Sequence, residues 1–137
     1  MKIKITPEDP IIFFVKVKGP RGTREFRAVL NTGCSDCLMS LQDARDLGYN
    51  AFFEPFTRTG EGRSAISISD IFETDEIAVE EISIGDLVAK NVKVLTKEMP
   101  RFAGIEGVIG LSFLKHFNTT INFEEGYLTI EPFSNKP

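Results

Sequence analysis

Short apolar runs and closely spaced turns fill the chain. Ile3 and Ile5 alternate with lysines, which predicts a brief edge strand ended by Pro7-Glu8-Asp9-Pro10. Ile11 to Val17 predicts a longer strand, buried on both faces at first and alternating later. Gly19-Pro20-Arg21-Gly22 is turn chemistry, so Phe26 to Leu30 is expected back as the hairpin partner. That strand breaks at Asn31-Thr32-Gly33 and resumes as Cys37-Leu38-Met39. Ser40 then caps a helix of about two turns, with an acid, Asp43, three residues on. Ala44 and Leu47 carry its apolar stripe, and Gly48 stops it. Ala51 to Arg58 has no clear period, but Ser64 to Phe72 alternates behind the tip Gly60-Glu61-Gly62, as a half-exposed hairpin arm. Apolar segments ending at Ile84 and starting at Leu87 flank Gly85-Asp86, another hairpin turn. Val108-Ile109 reads as a central strand, released by Gly110 into a helix from Leu111 to Phe117. Glu124-Glu125-Gly126 turns a last hairpin, with Gly126 at positive φ. Many short strands and one or two short helices predict a closed all-β barrel rather than a βαβ sheet. Residues 1–137 read as one domain with a polar tail at 134–137.

The break at residues 31–33 is the most informative stretch. A strand that stops on an amide, a hydroxyl and a glycine makes a tight internal turn. Apolar runs flank it, so its polar side chains are expected to be partly buried and in need of partners. Gly33 is expected to take unusual backbone angles or to let another group come close.

Val29-Leu30-Asn31-Thr32-Gly33, followed by the small Cys34, resembles the active-site loop of the retropepsin-like aspartic peptidases, which carry Asp at the position of Asn31. Val108-Ile109-Gly110 with Leu111-Ser112-Phe113-Leu114 is similar to the family's apolar-apolar-glycine turn and following helix. Phe117 to Phe123 and Gly126 to Ile130 resemble its closing hairpin. The two motifs in this order are more specific than the tripeptide alone. The resemblance implies an acid-protease barrel with a flap at about residues 56–70, a mobile hairpin over bound peptide whose tip is Gly60, Glu61 and Gly62. It also implies that Ser35 and Asp36 line the peptide groove, and that a peptide or protein is the substrate.

Composition narrows the alternatives. At 137 residues, 42% of them apolar, the chain is long enough for one packed core. Net charge is −4 with both signs interspersed, so no basic stripe suits nucleic acid. No apolar run approaches the ~20 residues of a membrane span. Met1-Lys2-Ile3-Lys4-Ile5 is too short and charged for the apolar part of a signal peptide. The cytoplasm is therefore expected, with both cysteines reduced.

Hydrolysis by two carboxyls needs both beside one water, and at that distance they share a proton. One chain supplies one such turn, so the resemblance implies a homodimer with residue 31 of each copy at the two-fold axis. Thr32 then bonds across to the other copy, and Gly33 leaves room. Asn31 changes the outcome, because an amide does not titrate near neutral pH and cannot act as base. General-base assistance is typically worth about 10²–10⁴-fold, and a lost dyad loses more. The chain as written is expected to be inactive or nearly so. A designed Asp-to-Asn change fits the otherwise intact motif. The alternative is a naturally non-catalytic peptide-binding module on the same fold.

Other constellations are weaker. Cys34-Ser35-Asp36-Cys37 spaces two thiols as a redox pair does, but strand rather than helix follows it. A zinc site needs Cys34, Cys37, His116 and a carboxylate, with no second cysteine pair to help. No metal or cofactor is expected. His116 is expected on the outer face of its helix. The twelve Phe are expected mostly in the core, with Phe56 and Phe72 as candidate pocket walls. Glu80-Glu81 and Glu124-Glu125 read as solvated turn charges.

Overall fold

The architecture is that of a computed structural model, in which residues 1–49, 75–98 and 104–134 are described. The order is β1 (Lys2–Lys4), β2 (Ile12–Gly19), β3 (Gly22–Leu30), β4 (Cys37–Ser40), α1 (Leu41–Asp46), β5 (Asp75–Ile84), β6 (Leu87–Lys97), β7 (Ile105–Ile109), α2 (Leu111–Leu114), β8 (Phe117–Asn122) and β9 (Tyr127–Pro132). Six strands pair as β2-β3-β7-β4-β6-β5, and β5 pairs back onto β2, closing a barrel. A separate sheet runs β1-β9-β8. The fold is all-β, with two short helices among the described residues, as the turn spacing predicts.

The hairpins follow local chemistry. β2 and β3 run in register from Ile12↔Val29 to Gly19↔Gly22, around Pro20-Arg21. β5 and β6 meet at Ile84↔Leu87 over Gly85, at φ +58°. β8 and β9 are joined through Gly126, at φ +76°. Two neighbours are parallel instead, β3 with β7 and β4 with β6. The parallel β3–β7 pair puts Leu30 beside Ile109, so the ends of both strands arrive together.

Val15, Val17, Phe26, Met39, Val94 and Ile109 fill the barrel, and Phe113, Leu128 and Ile130 join its core from α2 and β9. β2 alternates from the start. Phe13 points in, and Phe14 is 77% exposed rather than buried. A barrel strand has one inner face, so an unbroken apolar run does not bury both of its sides. The Phe expectation is thus met by Phe13, Phe26 and Phe113 but not by Phe14, Phe123 or Phe133, which are exposed.

α1 begins as predicted, with Ser40 Oγ accepting from the Asp43 backbone N–H at 3.0 Å. The Asp43 carboxylate lies fully buried, 2.9 Å from Arg24 Nε on β3. Arg24 reaches Asp46 as well, at 3.3 Å. α2 is shorter than predicted. It ends at Leu114, and Phe117 opens β8 opposite Pro132 with its ring 5.0 Å from that of Phe113. His116 consequently lies beyond the helix, half-buried and edge-on to Phe117, not on an outer helical face. The expected flap at 56–70, with Gly60, Glu61 and Gly62, lies outside the described residues, as do Phe56 and Phe72. Among the described residues, no helix is long and apolar enough to cross a membrane.

Candidate active site

Where β3 and β7 end together, the chain folds into the 31–36 loop. The Asn31 N–H donates to the Ile109 carbonyl at 2.9 Å, extending the β3–β7 ladder by one step. The Cys34 N–H then donates back to the Asn31 carbonyl at 3.1 Å, closing a turn. Inside it, the Gly33 N–H donates to Asn31 Oδ1 at 2.8 Å. A short side chain that bonds the backbone two residues on is what Asn and Asp supply in turns. Gly33 is not at positive φ; its glycine requirement is closeness, since a Cβ there would lie 3.1 Å from Asn31 Oδ1.

The loop is braced from below by the start of α2. Leu111 N–H donates to the Cys34 carbonyl at 2.9 Å. Gly110 is packed so tightly that a Cβ would come within 2.6 Å of the Asp36 and Cys34 carbonyl oxygens. The buried Ser112 hydroxyl accepts from the Cys37 N–H at 2.9 Å and donates to the Lys93 carbonyl at 2.7 Å, tying α2, β4 and β6 together. Nothing in the sequence reading gave Ser112 a task. A lone serine in an apolar helix turn, Leu-Ser-Phe-Leu, was the available signal, because a hydroxyl buried there must find partners.

Asn31, Thr32 and Gly33 are exposed in the single chain, contrary to the burial expected of them, while Ser35 and Asp36 are half-buried. The apolar runs on either side turn into the barrel and leave the tip outside it. The sequence-predicted residues from 31 to 36 therefore share one loop surface.

The cysteines flank this loop without bridging, and both are buried. Burial pushes both thiols up, aided at Cys34 by the charge of Asp36. At Cys37 burial outweighs the hydrogen bonds that favour the thiolate, among them the Gly110 N–H at 3.4 Å. A thiol held protonated is a poor nucleophile and a poor ligand. Among the described residues, no three His, Cys, Asp or Glu side chains are grouped to hold a metal ion.

A two-stranded junction carrying Asn-Thr-Gly, braced by a second apolar-apolar-glycine turn, agrees with a match of residues 15–113 to the aspartyl protease family profile. The chain belongs to the aspartyl protease family. Two solved structures share the fold of this aspartyl protease family member. One is a retropepsin-like aspartic protease from Rickettsia conorii, 18% identical, covering 95% of this chain and 88% of that one at a TM-score of 0.64. The other is the retroviral protease-like domain of Ddi1 from Leishmania major, 14% identical, covering 93% and 90% at a TM-score of 0.52. No curated protein matches the chain.

Proposed function

We propose that this chain is a retropepsin-like endopeptidase scaffold that works as a homodimer, holding an extended peptide between two copies and, with Asn31 in place, not cleaving it. The observation that carries this is the Gly33 N–H bonded to Asn31 Oδ1 at 2.8 Å. A donor there requires an oxygen, so the amide Nδ2 is the free end of the side chain. An aspartate makes the same hydrogen bond and leaves a carboxylate oxygen in place of Nδ2. In a pair of such turns, one charged carboxyl takes a proton from water and its neutral mate donates one to the scissile carbonyl. In a pair of asparagines, neither free end can accept a proton.

The roles assigned to the other residues follow. Thr32 hydroxyls reach across the axis, Gly33 keeps the turn tight, and Ser35 and Asp36 hold peptide backbone along the groove. Gly60, Glu61 and Gly62 close over it as the tip of the 56–70 flap. The whole of 1–137 acts as one domain, in the cytoplasm, where Cys34 and Cys37 stay as thiols.

The intact surroundings of Asn31 favour a carboxylate replaced by design. The free Nδ2 donor favours the second reading, a natural module that grips peptide carbonyls without cutting. One experiment addresses both. Asn31→Asp is expected to create peptidase activity, strongest at acid to neutral pH and blocked by a statine-type inhibitor. A folded, dimeric Asn31→Asp protein that cleaves nothing in a diverse peptide library overturns the peptidase scaffold and leaves the binding module.

A further inference from the structure

Residues 31–36 read Asn-Thr-Gly-Cys-Ser-Asp, so Asp36 carries the loop's one charge, at its far end. Cys34 adds none, because burial, aided by Asp36, keeps its thiol protonated. The tip presents a neutral amide, exposed in the single chain and aimed by its own turn. The Gly33 N–H holds Asn31 Oδ1 at 2.8 Å. The Asn31 backbone is fixed on both sides, its N–H on the Ile109 carbonyl at 2.9 Å and its carbonyl under the Cys34 N–H at 3.1 Å. Turning the amide over sets Nδ2 against the Gly33 N–H, donor against donor. Nδ2 is therefore oriented before any ligand arrives, and among the described residues it meets no acceptor. A donor fixed in advance loses little freedom on binding.

A cleft floored by carboxyls and one floored by amides select opposite ligands. A charged carboxyl repels another carboxylate at close range. An amide N–H attracts it, and a hydrogen bond to an ionised oxygen is roughly twice as strong as one between neutral groups. A backbone carbonyl offers one neutral oxygen to the pair of Nδ2 groups. A chain end offers two oxygens and a full charge.

We infer that the Asn31 pair captures the free C-terminal carboxylate of a peptide, one oxygen on the Nδ2 of each copy. The peptide fills one half of the groove and ends at the two-fold axis. The ligand class is thus chains that terminate at the site, such as the products of cleavage elsewhere, rather than the interior of an uncut chain. Backbone N–H groups hold chain ends by the same chemistry in other peptide-binding sites.

This rests on the two-copy, peptide-holding reading above, and paired peptide libraries separate the two. One N-acetylated mixed-sequence library is made twice, ending in a free carboxylate and in a carboxamide, with peptides too short to run past the axis. Immobilised wild-type protein at neutral pH is expected to retain the carboxylate series at least about tenfold over the carboxamide series, as charge-assisted hydrogen bonds at the chain end supply. Asn31→Asp is expected to reverse the order, since the oxygen that replaces Nδ2 repels the carboxylate. The wild-type comparison decides the matter should Asn31→Asp misfold. Equal retention of the two series, or a carboxylate preference that survives Asn31→Asp, overturns carboxylate capture and leaves the peptide-holding reading standing. Retention of neither series overturns both.

Discussion

Ser112 holds the backbone of Cys37 across 75 positions of sequence, its hydroxyl accepting from the Cys37 N–H at 2.9 Å while donating to Lys93. The bond is buried, and it sets where β4 begins after the Asn31 loop. Ser112→Ala orphans a buried N–H, which costs about 1–3 kcal/mol. The expected outcome is a lower urea midpoint with unchanged slope. In the Asn31→Asp background, it also lowers peptidase activity beyond the loss of folded protein.

Gly110 is the tighter constraint. An added methyl meets two carbonyl oxygens at 2.6 Å, and both belong to backbone that cannot swing aside. Gly110→Ala is expected to cost about 1–3 kcal/mol, as overpacking does. Amide resonances of residues 31–36 should shift while those of β5 and the β5–β6 turn stay in place. A spectrum unchanged at the loop counts against the brace.

Asp43, its carboxylate 0% exposed, is paired at 2.9 Å with Arg24, whose own side chain is 39% exposed. Removing the cation alone strands a buried charge, at a cost of about 3–5 kcal/mol. Arg24→Leu is therefore expected to destabilise strongly, and Arg24→Leu with Asp43→Leu to recover most of the loss. Denaturant titration of the two variants reads this directly.

Alkaline stability follows from Cys34, whose thiol burial pushes up, and from two further groups. Cys37 is pushed up by burial, and so is Tyr49, where the Glu80 carboxylate adds to the effect. Both are neutral when protonated and hold their protons more tightly in the fold than in the open chain. Their stabilisation is complete below the unfolded values, about 8.5 for Cys and about 10 for Tyr, and is lost as pH rises through the higher folded values. The melting temperature is expected to fall as pH rises above about 8.5. Cys37→Ala should flatten the first part of the decline. Tyr49→Phe should flatten the later part, at the loss of the phenol's bonds to the Lys18 carbonyl at 3.0 Å and the Glu80 N–H at 2.9 Å.

What the sequence disclosed was local chemistry. The Ser40 cap, the glycine turns at 85 and 126 and the break at Asn31-Thr32-Gly33 each depend on residues a few positions apart, and each appears where the pattern put it. What it withheld was pairing at a distance. Nothing near Leu30 announces Ile109 as its parallel neighbour, and nothing near Cys37 announces Val94. The same limit explains Ser112 and Asp43, whose partners lie on other strands. Phe14 and the exposed loop mislead for a related reason. An apolar run reveals what is greasy but not which side faces in, and Phe14 lies on the outer side of the barrel.

The chain distance between the loop and its brace governs how the molecule is made. A ribosome delivers Asn31 before β5 and β6, and Gly110 and Ser112 after them. Until then the loop has nothing beneath it, and parallel β3–β7 pairing, with its long closure, must wait. The loop proposed to hold the catalytic position is thus braced only after the β5–β6 hairpin has been made. A nascent chain halted before α2 carries the motif in full and cannot yet hold its shape.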